Sequence, residues 1–317
     1  MRLGYCCINL SLQPQGVTAN RGMIKRTFQE KGIPYCGQLA LANIKDVLTI
    51  LEWNVENGIY VYRMSSDIFP WMSEYRFEDL PNYNEIKVEA QKIGKFALEH
   101  DIRLSMHPGQ FDVLASPTES IVEKTIWDLD QHARIMDLME LPSSYDAPIN
   151  IHIGGTYGDK ESALQRFCAN FKRLAPSTQD RLVVENDDKA SQYSVKDLYE
   201  GVYLQVGCPI TFDHFHHRFC TGGLDADTAA HLAASTWDDI TPLQHFSDSK
   251  ALYEDASVIN RSHSDWIYTQ IPSYGLEADI ELECKMKDLA LLQYRNGIKI
   301  VTENKLFPFE TEEVNLV

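Results

Sequence analysis

Eight side chains able to bind metal close or follow short apolar runs along this chain. His107 follows Leu104-Ser105-Met106, His152 follows Asn150-Ile151, Glu185 closes Leu182-Val183-Val184, and Asp213 closes Ile210-Thr211-Phe212 with His216 three residues on. His245 lies inside Leu243–Phe246, His263 on the long connection after it, and Glu283 closes Ile280-Glu281-Leu282. Singly, a strand histidine is usually a hydrogen-bonded core residue, and an acid at a strand end caps a helix. Together, five histidines and three carboxylates are costly to crowd without cations. Imidazole and carboxylate without cysteine suit zinc, manganese or iron. Eight ligands exceed the needs of one ion, so two or three metals are expected, with a carboxylate such as Glu185 bridging. Clustered divalent ions lower the pKa of bound water and neutralise a phosphate ester displaced in line, which points to phosphodiester hydrolysis. Neither a GxSxG elbow nor a Walker loop competes. A sugar isomerase or epimerase using one or two metals on the same fold is the alternative.

These residues need elements that bring them to one place. Candidate strands are Arg2–Tyr5, Ile59–Met64, Ile102–His107, Ile149–Ile153, Leu182–Glu185, Ile210–Asp213, Leu243–Phe246 and Ile280–Glu283. Most are compact apolar runs, as in a parallel sheet buried on both faces. Helical spacing is read over Leu39–Asn57, Glu85–His100, Glu119–Met139, Lys160–Leu174, Ser194–Val206, Ala226–Ser235 and Lys285–Arg295. Strands alternating with helices predict an α/β fold, a single (β/α)8 TIM barrel over residues 1–298, with 299–317 as a C-terminal extension. A barrel gathers its strand ends on one face, where the active sites of this fold sit. The rival open sheet would carry a glycine-rich phosphate loop after its first strand, and none is present.

Composition agrees with a globular chain: 317 residues, 44% hydrophobic and 24% charged. Seven cysteines without a CxxC pair read as reduced thiols, and no apolar run reaches the roughly 20 residues that span a bilayer. A cytoplasmic protein with no membrane partner is expected. The net charge of −17 argues against nucleic acid, unless bound cations invert the local field. Arg21, Lys25 and Arg26 are candidates for phosphate contact, though they serve equally well as a solvated loop.

Several runs carry a resemblance. Leu3-Gly4-Tyr5 with Asn9, Tyr62-Arg63-Met64-Ser65-Ser66, Ser105-Met106-His107-Pro108-Gly109-Gln110-Phe111 and Asn150-Ile151-His152-Ile153-Gly154-Gly155 resemble motifs of the UV damage endonucleases. So do Val184-Glu185-Asn186-Asp187, Asp213-His214-Phe215-His216-His217, Arg261-Ser262-His263-Ser264-Asp265, and Asp279-Ile280-Glu281-Leu282-Glu283 with Lys285 and Lys287. The resemblance implies a barrel related to the endonuclease-IV-type apurinic enzymes, acting as a monomer on damaged double-stranded DNA. It implies up to three divalent ions, commonly manganese, with zinc or magnesium as alternatives. It also implies a cut immediately 5′ of a UV photoproduct, leaving a 3′ hydroxyl. By position, His107, His152, Glu185, Asp213, His216, His245, His263 and Glu283 would hold the metals, and Glu185, Asp213 and Glu283 would carry catalysis. Gln110 and Phe111 match a pair that wedges into the duplex, and Tyr5 and Asn9 would line the damaged-nucleotide pocket. One position departs: the family commonly carries a lysine two residues before the seventh-strand histidine, and here Leu243 stands there. That departure admits a third reading, a DNA-damage sensor that binds without cutting.

Overall fold

In the computed structural model, eight parallel strands close into a barrel in sequence order. They are β1 Arg2–Cys6, β2 Val61–Met64, β3 Arg103–Met106, β4 Ile149–Ile151, β5 Leu182–Glu185, β6 Ile210–Asp213, β7 Leu243–Phe246 and β8 Asp279–Leu282. Closure is made by β8 on β1, with Leu3 opposite Ile280 and Gly4 opposite Glu281. The structure describes residues 1–297 and the strand pair Val301–Thr302 and Lys305–Leu306; the rest of the expected extension over 299–317 lies outside the described residues.

Every residue of β3 to β8 is buried, which is why those strands read as continuous apolar runs rather than as alternating ones. The main core lies between strands and outer helices. Inside the barrel a small cluster of Val61, Val183, Leu243 and Trp237 fills the layer beneath the ligand-bearing ends. Below it, Arg2 Nη2 and Arg103 Nη1 reach Asp279 Oδ2 at 2.7 and 3.2 Å and tie the bottom of the barrel.

The helices differ from expectation mainly at their ends. Helix α1 runs over Lys25–Glu56, beginning well before Leu39. It is interrupted at Gly32, whose φ of 64° only glycine adopts freely, so the preceding turns form a separate short helix joined to the rest across a kink. Helices α2 (Tyr83–Glu99), α3 (Glu119–Leu138) and α4 (Lys160–Phe171) lie close to their expected bounds. The expected helix over Ser194–Val206 contains a π-helical segment, Tyr199–Tyr203. Among the described residues, no helix is long and apolar enough to cross a membrane.

Candidate metal centre

The strands deliver their ligand-type side chains to one mouth of the barrel. Glu185 and Asp213 close β5 and β6, and His245 lies one residue before the end of β7. His107, His152 and Glu283 are each the first residue beyond their strands, not within them as the sequence suggested. Asp213 caps the short helix His214–His217, its Oδ1 accepting from the His216 amide at 2.7 Å, and this turn brings His216 to the mouth. His263 is fixed by an isolated bridge to Ser249 and by Ser247 Oγ, 2.7 Å from its Nδ1.

Glu185 is the hub. Its Oε2 stands 3.1 Å from His107 Nε2, 3.2 Å from His245 Nδ1 and 3.7 Å from His152 Nε2, while Oε1 stands 3.1 Å from His216 Nδ1. Glu283 forms a second hub, 3.5 Å from His245 Nδ1, 3.6 Å from His263 Nδ1 and 2.6 Å from Arg63 Nη1. Among the described residues, four overlapping triads each place three potential ligand atoms within 4.8 Å of one another: His107, His152 and Glu185; Glu185, Asp213 and His216; Asp213, His245 and Glu283; His216, His263 and Glu283. Together they contain every ligand expected from the sequence.

Charges in the cage are strongly coupled. Burial opposes ionisation of Glu185, yet His245, His152, His107 and His216 outweigh it and hold the carboxyl well below its usual range. For Glu283, Arg63 and His245 likewise outweigh burial. Burial also works against protonated histidine, but Asp213 and Glu185 carry His216 well above its ordinary value. Glu185, Glu281 and Glu283 likewise carry His245 to about 10. Asp213 moves upward, chiefly through burial.

Several buried atoms at this mouth have no hydrogen-bond partner: Glu185 Oε1, Asp213 Oδ2 and both ring nitrogens of His245. Buried polar atoms are normally satisfied. Orphaned atoms converging in a thiol-free set of imidazoles and carboxylates fit divalent cations, which would displace the ring protons.

The outer partners were not assigned roles from the sequence. His107 Nδ1 is 3.0 Å from Pro108 O, His216 Nδ1 is 3.0 Å from Asn186 O, and His152 Nδ1 is 3.1 Å from Asp187 Oδ1. Asn150 donates to Glu185 Oε2 at 2.5 Å. Such contacts fix ring orientation and tautomer. The only signal for them in the sequence is proximity: Asp187 and Ser247 each lie two residues after a ligand.

Beside the cage, Pro108-Gly109 lifts a loop off β3. Phe111 at its tip is 82% exposed, and Gln110 is exposed as well. The loop is anchored on α3, where Thr125 Oγ1 accepts from the Val113 amide at 3.2 Å. It also packs on Gly154, at φ +98°, where a Cβ would fall 2.6 Å from Val113 Cγ1. A cleft of about 740 Å³ joins loop and ligands, lined by His107, Gln110, His152, Asp187, His216 and Arg261 among others. Tyr5 and Asn9 do not line it. Tyr5 is fully buried, donating to Asn54 Oδ1 at 2.8 Å and accepting from Asn9 Nδ2 at 2.9 Å, while Asn9 Oδ1 accepts from the Leu12 amide. Arg21 and Arg26 are paired with Asp46 and Glu30.

Residues 1–309 match the family described as UV-endonuclease UvdE. The chain belongs to that family. It is 34% identical over 303 residues to a UV-damage endonuclease of Schizosaccharomyces pombe, covering 92% of this chain and 50% of that protein. It is 30% identical over 332 residues to a UV DNA damage endonuclease of Clostridium perfringens, covering 100% of this chain and 76% of the relative. The UvdE chain thus spans half the length of the first relative and about three quarters of the second. The crystal structure of SacUVDE superposes with a TM-score of 0.80 at 30% identity, covering 94% of this chain and 100% of that one. A D-psicose 3-epimerase from Clostridium cellulolyticum H10 superposes with a TM-score of 0.51 at 11% identity, over 90% of this chain and 85% of that one, a likeness of fold alone.

Proposed function

We propose that this UvdE chain is a metal-dependent DNA repair endonuclease that nicks the backbone immediately 5′ of UV photoproducts, leaving a 3′ hydroxyl. One observation carries the reading: in a member of this family, eight ligand-type side chains converge near an exposed Gln110-Phe111 loop, and three of them, His107, His152 and His216, share a cleft with Gln110. Two or three divalent ions, manganese foremost, would be held by the four triads, with Glu185 and Asp213 each serving more than one. Bound there, they would activate water and neutralise charge on the displaced phosphate.

The chain's own residues do the rest. Glu185, Asp213 and Glu283 are the carboxylates of the cage, and Arg63 keeps Glu283 ionised. Phe111 and Gln110 enter the duplex where a photoproduct has weakened stacking, since a damaged step costs less to open. Tyr5 and Asn9 act from beneath, bracing the first loop through their shared hydrogen bond. Part of the acidic excess of the chain is cage charge that cations would cancel. An epimerase acting on a small sugar has no use for an exposed Phe111. Binding without cutting is not implied by Leu243, because the four triads are complete without it.

The test compares two duplexes of one sequence, one carrying a single photoproduct, with the manganese-loaded protein as a monomer in solution. Nicking confined to the damaged duplex supports the reading; equal nicking of both, or of neither, overturns it.

A further inference from the structure

Leu243, the departure from the family pattern, shares the inward face of β7 with His245 and is packed against Val61, Val183 and Trp237. It brings no charge to the cage. Strand β8, however, sets Glu281 directly opposite His245. Glu281 is fully buried and is not among the eight ligands of the triads. Its Oε1 accepts from the Ser105 hydroxyl. Its Oε2 has no hydrogen bond and stands 3.3 Å from His245 Nε2, which has none either. The opposite ring atom, Nδ1, faces Glu185 at 3.2 Å and Glu283 at 3.5 Å.

We propose that Glu281 is a positioning residue of the metal centre: it holds the proton on His245 Nε2 and turns the Nδ1 lone pair toward the metals. The inference rests on the metal-dependent reading above.

Three observations favour this role over others. A carboxylate oxygen buried without a partner is costly, and a ring N–H on Nε2 satisfies both orphaned atoms at once. Arg63 does not take that place, because its Nη1 is 2.6 Å from Glu283 and 3.9 Å from Glu281. Direct ligation fits less well, since Glu281 lies on the Nε2 side of the ring while Glu185 and Glu283 gather on the Nδ1 side. Carboxylate–histidine–metal relays of this kind fix the ring and raise its basicity, and losing the outer partner typically costs about 10–100-fold in metal affinity.

The experiment strips the full chain with chelator, refills it with manganese at graded concentrations, and counts bound metal per chain by equilibrium dialysis and elemental analysis. Glu281→Met, close in volume, removes both acceptor and charge; Glu281→Gln keeps an acceptor and removes the charge. The expected result is a fall of about 10–100-fold in affinity for at least one ion in the methionine variant, and a smaller fall in the glutamine variant. Thermal melts of the chelated proteins identify the temperature at which each variant is folded, because removing one partner of a buried charge pair is itself destabilising, and the metal affinities are compared below it. Wild-type manganese affinity in a folded variant, methionine or glutamine, would overturn the proposal. If the methionine variant fails to fold, the glutamine variant alone decides. If the wild-type chain itself binds no manganese, the metal-dependent reading fails, and this inference fails with it.

Discussion

Glu185 Oε2 and His245 Nδ1 stand 3.2 Å apart, and both side chains are closed to solvent. Without metal, such a contact is held by a proton on the imidazole; with metal, the proton must leave. The cage therefore stores its response to pH and to cations in the same groups, and several expectations come directly from its geometry.

Stability of the metal-free protein should fall at both ends of the pH scale. His245 is raised from 6.5 to about 10 by its acidic neighbours. Its contribution is fully present below the unfolded value and is lost as pH rises through the folded one. Glu185 and Glu283 are depressed below 4.5, so their contribution is present above that value and is lost as pH falls. Melts in chelator at about pH 6 and about pH 9 should show the alkaline loss, and manganese should remove it by taking the place of the protons. An alkaline loss of equal size with and without manganese would count against this account of the cage.

Glu185→Gln keeps the volume of the hub and removes its charge. Nicking should fall by more than the roughly 10–100-fold that follows loss of an outer partner of a metal ligand. Circular dichroism should show the fold retained. Turnover at the wild-type rate would remove Glu185 from the mechanism.

The wedge assignment predicts a separation of effects. Phe111 is 82% exposed, so truncating it together with Gln110 to alanine should leave the unfolding free energy within the small range of surface substitutions, about 0.5 kcal/mol. Preference for damaged over intact duplex, measured by competition binding, should fall at least several-fold. Unchanged preference would leave the exposed ring without its proposed role.

The loop also carries a titratable anchor. Burial and the neighbouring Asp128 raise the Asp112 carboxyl from 3.8 to about 8. A raised carboxyl stabilises while protonated, so its contribution is lost as pH rises through about 8. Preference for damaged duplex should weaken across that range, and Asp112→Asn should flatten the dependence. A wild-type preference that does not change with pH would show that Asp112 does not hold the loop.

Much of this was legible in the sequence because a buried parallel strand writes itself as a short apolar run, and here most of those runs end in a ligand. Residues such as Glu185 and Asp213 were visible for that reason. The bounds of α1 were not, because Gly32 and Pro34 read as helix breakers, whereas glycine's free φ lets one helical piece follow another directly across a kink. The placement of Tyr5 was hidden as well: an aromatic near the end of a strand reads equally as pocket lining or as core. Its hydrogen bonds to Asn54 and Asn9 depend on helix α1 packing, which no local pattern encodes. The position of Glu281 opposite His245 comes from the register between β7 and β8, a long-range property of the closed barrel.

The most direct test of the central claim maps the cut itself. A duplex with one defined photoproduct, labelled at the 5′ end of the damaged strand, is treated with the manganese-loaded protein, and the product is offered to a DNA polymerase without further processing. The account predicts a single labelled fragment ending immediately 5′ of the lesion, extendable at once from its 3′ hydroxyl, and absent when a chelator is present. A fragment ending elsewhere, a blocked 3′ end, or cutting that survives removal of metal would contradict it.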